Sequence, residues 1–193
     1  VYVINDIADL SNYGIGFANN GGGTDGEEFT FPAISASAGT YFYISTESLR
    51  FSEWFGFDPS YTDGDAAING DDAIELFYED AVIDVFGDID VDGSGEDWEY
   101  LDGWAYRVSE TDLDGDVFDI SHWIFSGPNA LDGEANNATA DTPMPFGSYT
   151  KIPDVGLYVQ LYATGEVGGT DTCFASITVL DTLPPVMSCV AAL

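Results

Sequence analysis

The run AIELFYEDAVIDVF, residues 73–86, is the part of this sequence that leaves the fewest folds open. Ile74, Leu76 and Tyr78 alternate with Glu75 and Phe77, the period-two pattern of a strand with one buried face. A second apolar run follows after only Glu79 and Asp80. The expectation is a β-hairpin of two strands, Ala73–Tyr78 and Ala81–Phe86, closed by a tight Glu79-Asp80 turn.

The hairpin runs into a loop crowded with carboxylates, DIDVDGSGEDWE at 88–99. Asp88, Asp90, Asp92, Glu96 and Glu99 stand at positions 1, 3, 5, 9 and 12 of a calcium loop, with Gly93 at position 6, which is the ligand spacing of an EF-hand. The flanks differ from that motif. Residues 82–86 are β-branched and aromatic where a helix is required, and position 8 is Gly95. The expectation is therefore a calcium loop hung on a hairpin; the alternative is a solvated acidic turn. A shorter acidic turn, Asp112, Asp114 and Asp116, is a weaker metal candidate.

Three stretches, NGDDAIELFYEDAVIDVFGDI, WEYLDGWAYR and HWIFSGPNALDGEANNATADTPMPFGSY, resemble lamin-tail-type domains of secreted microbial and marine proteins, some of them fused to extracellular nucleases. The resemblance covers roughly residues 1–150. It implies an immunoglobulin-like β-sandwich that is extracellular and noncatalytic. Such domains carry one more strand ahead of residues 1–4, and without it the sheet edge would be open. Residues 151–193 differ in character. Two alternating runs, 155–164 and 173–181, read as an appended β-hairpin, and CFASITVLDTLPPVMSC looks like the junction of a hyalin-type repeat. That likeness implies an adhesive or structural part-domain.

The fold class expected is all-β, with domains 1–150 and 151–193. Hydrophobic residues make up 45% of the chain and aromatics 15%, enough for a sizeable core among short strands. Further strands are expected at 28–31, 40–45, 103–108 and 120–125. Residues 5–26 read as a segment broken by Asn and Gly, and 49–61 as a short helical turn. Val1 to Ile4 reads as the middle of a strand, so the chain is taken as a mature or trimmed fragment.

Charge restricts the partners. There are 35 Asp plus Glu against 3 Lys plus Arg, a formal net charge of −32. A core with that surface needs divalent cations or high ionic strength around it. At seawater-like salt the Debye length is roughly 4–5 Å, and scattered carboxylates hardly repel each other. A marine or saline setting, outside the cell or at its surface, follows. Arg50, Arg107 and Lys151 are too few for a nucleic-acid stripe or an anionic membrane, and no apolar run is long enough for a span.

The remaining candidates divide between binding and structure. Phe51, Trp54, Phe55 and Phe57 form either a carbohydrate-binding platform or a small core sealing one end of the sandwich. His122, the single histidine, reads as a packed or surface residue. Asn137 opens an N-glycosylation sequon, Asn137-Ala138-Thr139. Cys173 and Cys189 pair with each other or with other chains or modules. Nucleophile elbow, phosphate-loop and zinc patterns do not occur. The expected function is a noncatalytic extracellular module of a fibre, appendage or surface layer, stabilised by calcium and assembling with copies of itself or neighbouring modules. The competing reading is a glycan-binding or accessory domain of a secreted hydrolase or nuclease.

Overall fold

The computed structural model describes residues 1–151 and, beyond them, the backbone of two strands; the chain divides into two compact units, Val1–Ile152 and Pro153–Leu193. The first unit contains β1 (Tyr13–Ala18), β2 (Phe29–Thr30), β3 (Ile44–Ser45), helix α1 (Ser48–Phe55), β4 (Tyr61–Thr62), β5 (Ala73–Tyr78), β6 (Ala81–Phe86), β7 (Ala105–Arg107) and β8 (Trp123–Phe125). In the second, β9 (Leu157–Thr164) and β10 (Thr170–Ile177) pair antiparallel, Leu157 opposite Ile177. Among the described residues the protein is β-rich with one α-helix. The cysteine pairing and the Pro184-Pro185 joint lie outside the described residues.

An antiparallel sheet with strand order β2-β1-β5-β6 organises the first unit. The hairpin β5–β6 has the bounds expected from alternation, and both turn residues adopt positive φ, 47° at Glu79 and 66° at Asp80, as a two-residue turn with the twist of its strands demands. Leu76 faces Asp84 but Phe77 faces Val82, so the register slips and Ile83 is left without a partner. Bulges of this kind re-aim the side chains beside them. Here the residue beside it is Asp84.

The central strand is one the sequence reading did not find. β1, YGIGFA, lies inside the segment taken as broken, and it pairs with β5 along its whole length from Tyr13–Tyr78 to Ala18–Ala73. Two glycines in six residues depress strand propensity, but here their missing side chains are filled by other groups. A Cβ on Gly14 would fall under 3.0 Å from the Glu27 carboxyl, and one on Gly16 equally close to the Gly26 carbonyl oxygen. Segment 26–28 lies directly on that face of the strand.

This covering corrects the one-face expectation for β5. Ile74 and Leu76 pack beside the main apolar core of Val3, Leu10, Ile15, Phe17, Phe29, Phe31 and Ala36. Yet the opposite face, Ala73, Glu75 and Phe77, is the more deeply buried. Glu75, expected to face solvent, is 2% exposed.

Short ladders complete the unit. Residues 1–10 run antiparallel to 34–42 through bridges at Tyr2–Tyr41 and Ile7–Ala36, with Val3 and Thr40 also bonded, so the first residues have a backbone partner on one side. The strand expected over 120–125 is divided. Ile120–His122 forms a 3-10 turn capped by the Asp119 carboxylate, and only Trp123–Phe125 pairs, with β7. A second cluster gathers Trp98, Tyr100, Phe118, Trp123 and Phe125 around Phe86.

Gly16→Ala should therefore destabilise the protein by about 1–3 kcal/mol through overpacking, whereas Ala at Gly39, where no atom lies within 4 Å, meets only its positive φ of 85°. Denaturant titration of both variants checks the difference.

Candidate functional site

The loop 88–99 folds as successive turns held by its own acids. Asp88 Oδ1 accepts the Asp90 N–H (3.0 Å), Asp92 Oδ1 the Ser94 N–H (2.9 Å), and Glu99 Oε2 the Gly95 N–H (3.1 Å). Carboxylates used in this way favour turns over convergence on one point. Among the described residues no group of three or more His, Cys, Asp or Glu side chains is placed to hold a metal ion. Asp88, Asp90, Asp92, Glu96 and Glu99 thus keep the spacing of a calcium loop without its shape.

Gly93 shows why. In the motif this glycine supplies a sharp bend, but Gly93 is not at positive φ; Gly95 is, at 81°. Gly93 is small because Trp98 lies on it, and a Cβ there would come 2.5 Å from the indole. Trp98 is buried edge-on against Phe86 at 6.0 Å. Asp71, which the sequence reading passed over, ties the loop down: its carbonyl accepts the Gly93 N–H and its Oδ2 the Ser94 hydroxyl. Next to it, buried Asp72 accepts the Asn20 and Asn69 N–H groups and joins two loops.

The second acidic turn is occupied by the chain's own positive charge. Arg107 reaches Asp84 Oδ1 (2.5 Å) and Asp114 Oδ2 (3.4 Å), donates to the Asp112 carbonyl (2.8 Å) and stacks on Trp123 at 4.6 Å. His122 Nδ1 lies 2.5 Å from Asp114 Oδ1, and Lys151 Nζ 2.6 Å from Asp112 Oδ1. Asp116 is exposed. Two of the three basic side chains and the single histidine converge on one turn. Burial pushes the Asp84 carboxyl above its ordinary range, with Arg107 pulling it back, while the Lys151 ammonium holds Asp112 below it. The partners of Arg107 come from β6, from the turn at 112–114 and from β8, a combination the linear sequence does not show.

His122 borders an open hollow of about 500 Å³ lined by Leu113, Asp114, Val117, Phe118, Asp119 and Ile120. Its Nε2 faces Asp119 at 3.8 Å. Ser121 turns its hydroxyl to Asp119 (2.6 Å), not to the imidazole. The pair can hold and orient a proton, and no nucleophile is aligned with it.

The aromatic stretch packs on itself. Phe51, Phe55 and Phe57 meet one another, Tyr43 and Phe146 at centroid distances of 4.6–6.1 Å, with several edge-on contacts. A sugar platform needs an open ring face; these rings are half-buried and tilted together, the arrangement of a small core under α1. Trp54 contributes its carbonyl to the Asn137 N–H. Asn137 itself is 5% exposed, and its amide exchanges two hydrogen bonds with the Met144 backbone, Nδ2 to O at 3.1 Å and N to Oδ1 at 2.8 Å. A glycan on that nitrogen has no room in the folded state.

No family model, curated protein or solved structure matches the chain.

Replacing Arg107 by Leu leaves Asp84 and Asp114 facing each other with little solvent and should cost about 3–5 kcal/mol; adding Asp84→Asn and Asp114→Asn should recover part of it in a double-mutant comparison. A separate outcome concerns pH. A carboxyl held low in the folded state stabilises above its unfolded range, about 4, and loses that contribution as pH falls through the lowered value. Lys151→Met should accordingly flatten the stability curve of the wild type between neutral and acid pH, as read from thermal melts.

Proposed function

We propose that the chain is a noncatalytic structural module working outside the cell in saline surroundings, an acidic β-scaffold that joins copies of itself or neighbouring modules. In this reading the first unit is a lamin-tail-type, immunoglobulin-like sandwich and the second a hyalin-like part-domain. The observation that carries it is where the positive charge goes. Arg107 and Lys151 bind loops of their own chain, Arg50 is paired with Glu53 at 2.6 Å, and His122 rests on Asp114. The charged groups that remain to meet a partner are almost entirely carboxylates.

Side chains capable of chemistry are likewise committed to the fold: Asp72 joins segments distant in sequence, while Asn137 and Asp114 hold residues seven or eight positions away. A scaffold of this kind needs screening before two copies can approach, because like charges within a Debye length repel. Association would then use strand edges, where backbone bonds supply affinity, and head-to-tail contacts that do not close give filaments.

Sedimentation of the purified chain at 0.05 M and 0.5 M NaCl, with and without millimolar calcium, provides the test. The expected outcome is a shift from monomer to larger species with salt and calcium. A monomer under all four conditions that binds a glycan saturably would replace this reading with the accessory-domain one.

A further inference from the structure

Glu75 stands in the middle of β5, 2% exposed, and its Oε2 is buried without a hydrogen-bond partner. An ionised carboxylate in that position is among the costliest groups a fold can enclose, and it requires a basic side chain, a proton or a bound cation. The first remedy is used up. All three basic side chains are engaged elsewhere, Arg50 with Glu53, Arg107 with Asp84 and Lys151 with Asp112.

The surroundings of Glu75 favour a cation. Its cross-strand neighbour on β1 is Gly16, and Gly14 lies on the same face opposite Phe77. The Gly26 carbonyl oxygen sits where a Gly16 side chain would be, and the Glu27 carboxyl where a Gly14 side chain would be. Directly opposed residues have their Cβ atoms about 4.5–5.5 Å apart, so an extended glutamate at position 75 can reach toward the Gly26 carbonyl. Glu27 Oε1 accepts from the Thr30 hydroxyl at 2.5 Å, while Glu28 is committed to the Phe17 N–H at 2.8 Å. On the face the two glycines leave clear lie the Glu27 carboxyl, the Gly26 carbonyl oxygen and the edge of the Phe77 ring, with buried Glu75 directly across the ladder from Gly16.

Glu75 Oε2 has no donor and the Glu27 carboxyl has only the Thr30 hydroxyl, so acidic and carbonyl oxygens on one face of the sheet are left for a positive charge to answer. We infer that Glu75, Glu27 and the Gly26 carbonyl form a binding site for a hard divalent cation of the calcium type, completed by water. Oxygen-only ligands in an irregular arrangement suit calcium, which tolerates varied geometry, better than magnesium, which demands an octahedron. The ion neutralises Glu75 and fixes segment 26–28 to the central strand. The site concerns the single chain and does not depend on the assembly reading.

Thermal melts at constant ionic strength test it, comparing calcium, magnesium and a chelator so that general screening is matched. Calcium should raise the melting temperature of the wild type by several degrees over magnesium, as an ion bound only by the folded state does. Glu75→Gln should abolish that increment, the rim variant Glu27→Gln should reduce it, and Asp88→Asn/Asp90→Asn/Asp92→Asn should retain it. Should Glu75→Gln fail to fold, the half-exposed Glu27→Gln still reads the site. The inference is overturned if the wild type shows no calcium-specific increment, if the increment survives in Glu27→Gln and Glu75→Gln unchanged, or if only the loop triple variant loses it. A Glu75→Gln protein that melts higher than a calcium-insensitive wild type would likewise overturn it.

Discussion

Arg107 is the contact on which the first unit turns. Its guanidinium joins the bulged strand β6 at Asp84 to the turn at 112–114 and lies on Trp123 of β8, so one side chain connects three segments with little local structure of their own. Planar donors and a stacking face suit arginine to this position where lysine would offer a point charge. In a chain with a formal charge of −32, a cation so placed also relieves repulsion among the acids it touches. Asp114, its side chain only 1% exposed, is tolerable because Arg107 and His122 approach it from two sides.

The same economy explains the acidic loop. Spacing of oxygen ligands along a chain is necessary for a calcium loop but does not bend the backbone around an ion. Here Trp98 lies against Gly93 and is buried against Phe86 and Phe118, which removes a large apolar surface from water. The carboxylates then satisfy nearby N–H groups. Gly93 fits both descriptions by composition, and only its backbone angle and its distance to Trp98 separate them.

The sheet is covered on both faces by different means. Apolar side chains cover one face, and on the other segment 26–28 approaches so closely that β1 must carry glycine at 14 and 16. Glu75 is the consequence of that second covering. A residue whose alternation marks it as solvent-facing becomes interior when a loop closes over it, and its charge must then be answered by something other than water.

Local pattern determined the hairpin, its turn and the helical character of the segment carrying α1, because alternation, turn length and aromatic spacing act over a few residues. For Phe51, Trp54, Phe55 and Phe57 it left a platform and a small core both open. Tertiary structure alone decided the rest. Gly14 and Gly16 look like strand breakers until Gly26 and Glu27 lie upon them; Asn137 looks like an acceptor for sugar until Met144 occupies its amide; Gly93 looks like the bend of a calcium loop until Trp98 lies against it. Whether the deciding residue belongs to another segment or stands a few positions away, a linear pattern carries no record of which atoms will occupy the same volume.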